Sequence, residues 1–152
     1  MITDRTASDV SFAKTLRAKL QSGQTLSDAE FSILERGALT IKTLNRIENK
    51  QAELKELLAN EGYYNTPIQN KTWEYTEYFN KNEFQRILNN LNMLRNAFFV
   101  YAVTPSTPPI SFHHENINAL EKVLFDIETM LNDMIDRFRE CGTFECGEAN
   151  ES

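Results

Sequence analysis

Apolar residues recur at helical spacing almost from the start of the chain. Val10, Ala13, Leu16 and Leu20, with Phe12 beside them, predict a helix from about Ser8 to Gln21, and Gly23 supplies a C′ stop. The next start is "TLSDAEF". Ser27 caps, Glu30 completes a capping box three residues on, and Leu26 can staple to Phe31. Apart from Gly37 no breaker follows until "NEGYYNTP", which predicts a single helix of roughly 32 residues, about 48 Å long. Its apolar positions are Phe31, Leu34, Ala38, Ile41, Leu44, Ile47, Leu54, Leu57 and Leu58, with a slip in spacing between Ile41 and Ile47. A rod of this length suits a coiled coil or stalk, and self-association through residues 28–59 is expected.

The main break is "GYYNTPIQNKTWEYTEYF", residues 62–79. Gly62 and Pro67 stop helix, and Trp73 and Tyr75 alternate with Glu74 and Thr76, which suits a short extended or edge-strand segment. A second helix start then uses Asn80, Glu83 and a Phe79–Phe84 staple. Phe84, Ile87, Leu91, Leu94, Phe98 and Tyr101 follow at heptad-like steps, as do Ile117, Leu120, Leu124, Ile127, Leu131, Met134 and Phe138 after the Pro-rich "VTPSTPPIS". The simplest reading is an antiparallel helical hairpin ended by Gly142, with "GTFECGE" as a small turn or strand. The predicted fold is therefore all-α and oligomeric. It comprises a helical region over 1–61, an aromatic-rich linker over 62–79, the hairpin over 80–139 and a tail over 140–152. The third start is weaker than the others, because His113 is a poor cap and Asn116 replaces the acid. The shared outline fits either general helix design or an internal repeat.

Charge narrows the partners. The 152-residue chain carries a formal −6 and a pI near 5.0, which speaks against nucleic acid and against a basic membrane-surface helix. No apolar run is long enough to span a bilayer, and the first residues lack a signal-peptide core, so a cytoplasmic site of synthesis and assembly is expected.

Catalytic signatures are missing. His113 and His114 with Cys141 and Cys146 have the wrong spacing for a zinc module, and nothing positions a Cys–His nucleophile pair. There is no Gly-rich phosphate loop, nucleophile elbow or Glu-x-x-His pair. Glu48, Glu53, Glu56, Glu121, Glu128, Asp133 and Asp136 fall mostly on faces expected to be solvated. No catalysis, cofactor or metal is expected. The aromatic cluster of Tyr63, Tyr64, Trp73, Tyr75, Tyr78 and Phe79 is the candidate interaction site. It could anchor a protein partner, form a sugar-stacking platform, or simply cover the ends of the hairpin.

"TWEYTEYFNKNEFQRILNNLNML" resembles a pattern in tail proteins of phages and prophages of Gram-positive bacteria. The matching positions are Trp73, Phe79, Asn80, Glu83, Gln85, Arg86, Ile87, Asn90 and Leu91, with Gln85 standing where Asn is commoner. "LNRIENK", residues 44–50, echoes the same phrase, and "FRECGTFECGE", residues 138–148, is similar to the ending of such proteins. The resemblance lies mainly in residues 70–148, and the first 24 residues take no part in it. It implies a virion structural protein at the tail tip or baseplate, or in fibre attachment, in a phage or phage-tail-like bacteriocin. Its partners would be copies of itself and other tail, baseplate or fibre proteins. The alternative is a receptor-binding module for host cell-wall saccharide. A helical-bundle enzyme or regulator is a third reading.

Overall fold

The computed structural model describes residues 1–63, 67–98 and 102–140. It contains five α-helices: α1 (Ala7–Gln21), α2 (Asp28–Gly37), α3 (Ile41–Asn60), α4 (Lys81–Ala97) and α5 (His114–Glu140). Among the described residues there is no strand, including around Trp73, where the sequence predicts an extended or edge-strand piece. No described helix is long and apolar enough to cross a membrane. Gly142, the segment after it, Tyr101 and both cysteines lie outside the described residues.

Local chemistry sets the helix starts. Thr6 and Asp9 form a full capping box on α1, and Ser27 and Glu30 form the predicted one on α2. At α4 the box is only half made. Asn80 accepts from the amides of Asn82 and Glu83 at 2.9 and 3.1 Å. The Glu83 carboxylate instead takes Arg86 Nε at 2.9 Å.

The single long helix predicted over 28–59 is two helices. Ala38 is extended, and Thr40 restarts the chain as an N-cap that accepts from Thr43 N. The break follows from packing. α1 and α2 form an antiparallel hairpin in which Lys19 Nζ meets Glu30 at 2.6 Å and Arg36 Nε meets Asp9 at 3.2 Å. At its far end a Cβ on Gly37 would stand 1.9 Å from Asp9 O. Only glycine allows this approach, and the chain leaves α2 there.

α4 and α5 are not an antiparallel hairpin. α3, α4 and α5 all run in the same direction. Arg46 pairs with Glu121 and Lys50 with Glu128, ascending α3 and α5 together. Glu48 pairs with Arg86 and Gln51 with Asn90, ascending α3 and α4 together. Phe84, near the start of α4, stacks on Phe112, just before α5, at 5.2 Å between ring centres. At the other end Tyr63 touches both Phe98 and Met134.

Parallel helices need connections that travel back along the bundle. The two connections therefore run as irregular straps through 67–74 and 102–112, and residues 1–5, tied to Asn118 and Glu121 of α5, add one more, the first in chain order. Within the segment expected to be a linker, 62–79, residues 67–74 form the second strap and place Ile68 and Trp73 in the core. The core between the helices holds Leu44, Ile47, Leu54 and Leu58 from α3, and Phe84, Ile87, Leu91 and Leu94 from α4. Leu88 of α4, and Ile117, Leu120, Val123, Leu124, Ile127 and Leu131 of α5, complete it together with Ile68 and Trp73 from the second strap.

Candidate functional site

The aromatic cluster divides between inside and outside. Trp73 is only 3% exposed and sits in the core, so it is not available as a surface anchor. Phe79 is partly buried and packs edge-on to Trp73 at 5.3 Å and to Phe84 at 6.0 Å. Tyr63 lies edge-on to Phe98 at 5.2 Å with its hydroxyl on Met134 Sδ. Tyr75 (94% exposed) and Tyr78 (84%) stand free on one turn. Tyr64 lies outside the described residues. Burial of Trp73 follows from its role, because a strap without secondary structure needs an apolar foot in the core.

A strap also leaves main-chain N–H and C=O groups that must find partners. Helix side chains supply them by one recurring device. Asn45 Oδ1 accepts from Trp73 N at 2.7 Å while its Nδ2 donates to Trp73 O at 3.1 Å. Asn118 holds Arg5 in the same way, at 3.2 and 2.9 Å. Asn90 holds Gln69, at 3.3 and 2.8 Å. Each amide imitates one rung of a β-ladder.

Three residues after Asn45 and after Asn118 stands a carboxylate, Glu48 or Glu121, and both are fully buried. Glu48 accepts from Trp73 Nε1 and Lys71 N at 3.2 Å each, and pairs with Arg86. Glu121 accepts from Ile2 N at 2.9 Å and pairs with Arg5 and Arg46, each at 2.7 Å. Placing these two carboxylates on solvated faces is corrected by this burial. Asp126 plays the same part for the third strap, accepting from Thr104 Oγ1 at 2.6 Å. The Glu48 bond and the buried ion pair hold the Arg86 guanidinium above its ordinary pKa.

The matching phrases of the sequence thus meet in space. Asn45, Arg46 and Glu48 of "LNRIENK" face Trp73, Arg86 and Glu121. Their chemistry is structural clamping. The signal for a buried polar group was present in the spacing at one position. Gln51 fills the step between Ile47 and Leu54, whereas Glu121 follows Leu120 in a series without a gap and carries no such signal.

The α1–α2 hairpin is organised differently. Its helices pack chiefly on each other, and only Ala13 of α1 and no residue of α2 is buried. Phe12 (60% exposed), Leu20, Phe31 and Ile33 face solvent. At the start of α5, His113, His114 and Glu115 bring their ligand atoms within 4.8 Å of one another on a largely exposed edge.

Searches of protein families, curated proteins and solved structures find no match to this chain.

Proposed function

We propose that the protein is a structural assembly component of a phage tail or phage-tail-like particle, at the tip or baseplate or in fibre attachment, assembled in the bacterial cytoplasm. The observation that supports assembly is the α1–α2 hairpin. Two helices that leave Phe12, Leu20, Phe31 and Ile33 exposed beside a well-packed body have apolar surface to offer a neighbour. The interface expected along a continuous 28–59 rod moves to this hairpin, and a second copy of the chain is its occupant. The particle assignment is supported by the resemblance of residues 73–91 and 44–50 alone.

The test is the mass in solution by light scattering of the wild type and of Phe12→Ser/Phe31→Ser. An oligomer that dissociates in the variant while the body keeps its melting temperature supports the reading. A wild-type monomer at tens of micromolar removes self-assembly. Failure of the protein to enter purified tail particles removes the particle assignment.

A second reading has one observation in its favour. Tyr75 and Tyr78, exposed on one turn, present rings of the kind that stack on sugars. Binding of cell-wall saccharide lost in Tyr75→Ala/Tyr78→Ala would favour a receptor-binding module.

A further inference from the structure

A cavity of about 570 Å³ opens where α1, the α2–α3 junction and the start of α5 meet. That volume suits a small molecule. The charged and titratable side chains lining it are Arg5, Lys14, His113 and His114, with no carboxylate among them. In a chain with 22 acidic residues against 16 Lys and Arg, such a lining is unusual.

Arg5 is the informative member. It is 6% exposed, and its Nη1 is committed to Ile2 O, Asn118 Oδ1 and Glu121 Oε2. Its Nη2 is buried with no hydrogen-bond partner, and among the described residues no other buried side-chain nitrogen or oxygen is left in that state. An unmet guanidinium N–H is costly, and an oxyanion is its natural partner.

Two helix starts converge on the same space. Thr43 lines it from the first turn of α3, and His114 and Ile117 line it from the first turn of the 27-residue α5. Thr43 N is already held by Thr40 Oγ1 at 3.2 Å, so the start of α5 is the helix end left to favour an anion. Val10, Leu39 and Phe112 add apolar wall. The acids nearby are already engaged or lie outside: Glu121 holds Arg5, and Glu115, 3.6 Å from His113 Nδ1, is exposed and not part of the lining.

We propose that this cavity binds a small organic anion, a carboxylate or phosphate monoester carried on a compact apolar body. The oxyanion sits by Lys14 and the start of α5, on the side lined by Arg5, and the apolar part lies against Leu39 and Phe112. The proposal is independent of the assembly reading.

The test is titration of the full chain with phenyl phosphate, benzoate, phenol and inorganic phosphate, followed through the imidazole NMR signals of its two histidines. Saturable shifts are expected with phenyl phosphate or benzoate, and the tighter of the two identifies the head group. Phenol and inorganic phosphate should each bind at least about tenfold more weakly, since each lacks half of the recognition. Lys14→Gln, at an exposed position, should weaken binding about three- to tenfold without unfolding the protein. Arg5→Met should weaken it further. Should Arg5→Met fail to fold, Lys14→Gln and His114→Gln decide the matter. No saturable shift up to about 20 mM ligand, an equal response to phenol, or unchanged affinity in both Lys14→Gln and His114→Gln overturns the proposal.

Discussion

Asn45 holds Trp73 by both of its main-chain polar groups, accepting from its N–H at 2.7 Å and donating to its C=O at 3.1 Å. The indole of the same residue reaches Glu48, one turn further along α3. One short stretch of helix therefore fixes both the backbone and the side chain of a strap that has no secondary structure of its own.

Asn45→Ala should cost about 1–3 kcal/mol, the penalty of stranding buried main-chain groups. Trp73→Ala should cost about 3–5 kcal/mol, as a large core truncation does. Urea denaturation of the isolated protein measures both. Unchanged midpoints would show that the strap does not belong to the cooperative core.

Glu48 and Arg86 form a buried pair, so breaking it one-sidedly should be worse than removing it altogether. Glu48→Ala alone should cost about 3–5 kcal/mol because Arg86 loses its buried carboxylate partner and keeps only the partly exposed Glu83. Glu48→Leu/Arg86→Met should recover part of that loss. A double variant no more stable than the singles would place the cost in the hydrogen bonds to Lys71 and Trp73 instead.

Gly37→Ala tests the approach of α2 to α1. The added methyl would meet Asp9 O at 1.9 Å and Ala13 Cβ at 2.8 Å, so α1 has to shift. The hairpin should lose about 1–3 kcal/mol, a typical overpacking cost. Hydrogen exchange should then speed up across α1 and α2 and stay unchanged in α3 to α5.

Acid should loosen the same hairpin. Lys19 and the Ser27 amide, both bonded to Glu30, lower its carboxyl from 4.5 to about 2. Donation from the Thr6 amide and hydroxyl lowers Asp9 as well. A depressed carboxyl stabilises the fold above its unfolded pKa, and that contribution is lost as pH falls from about 4.5 towards 2. Carboxyl NMR titration should give Glu30 a midpoint near 2 in the wild type and one closer to 4.5 in Lys19→Met. An ordinary midpoint in the wild type would show that the Lys19 bond is absent in solution.

Local signals were legible in the chain, whereas direction was not. Ser27, Glu30 and Asn80 announce their helix starts, and the apolar steps from Phe84 to Leu94 and from Ile117 to Leu131 name buried residues. Periodicity has no sign, however. It cannot tell a helix that returns from one that repeats the direction of its neighbour, and the short-hairpin default points the wrong way. The break at 38–40 was hidden because Ala38 and Leu39 are ordinary helix residues. What stops α2 there is a contact with Asp9, almost thirty residues earlier. Of the aromatic cluster, the sequence shows its position but not its division. Trp73 and Tyr75 stand two apart, yet one is core and the other free.

The shared direction of α3, α4 and α5 also dictates an order of events in folding. The clamps of the body join residues 38, 75 and 119 positions apart, whereas the Lys19–Glu30 tie of the hairpin spans 11. Distant contacts require costly chain closure before they stabilise anything, so topologies of this kind fold slowly for their size. The α1–α2 hairpin can close early and alone. Residues 1–5 cannot dock until Glu121 and Asn118 exist to receive them. During synthesis, residues 1–5 emerge well before α5 yet find their place only after it, and the body must condense after α3, α4 and α5 have all emerged.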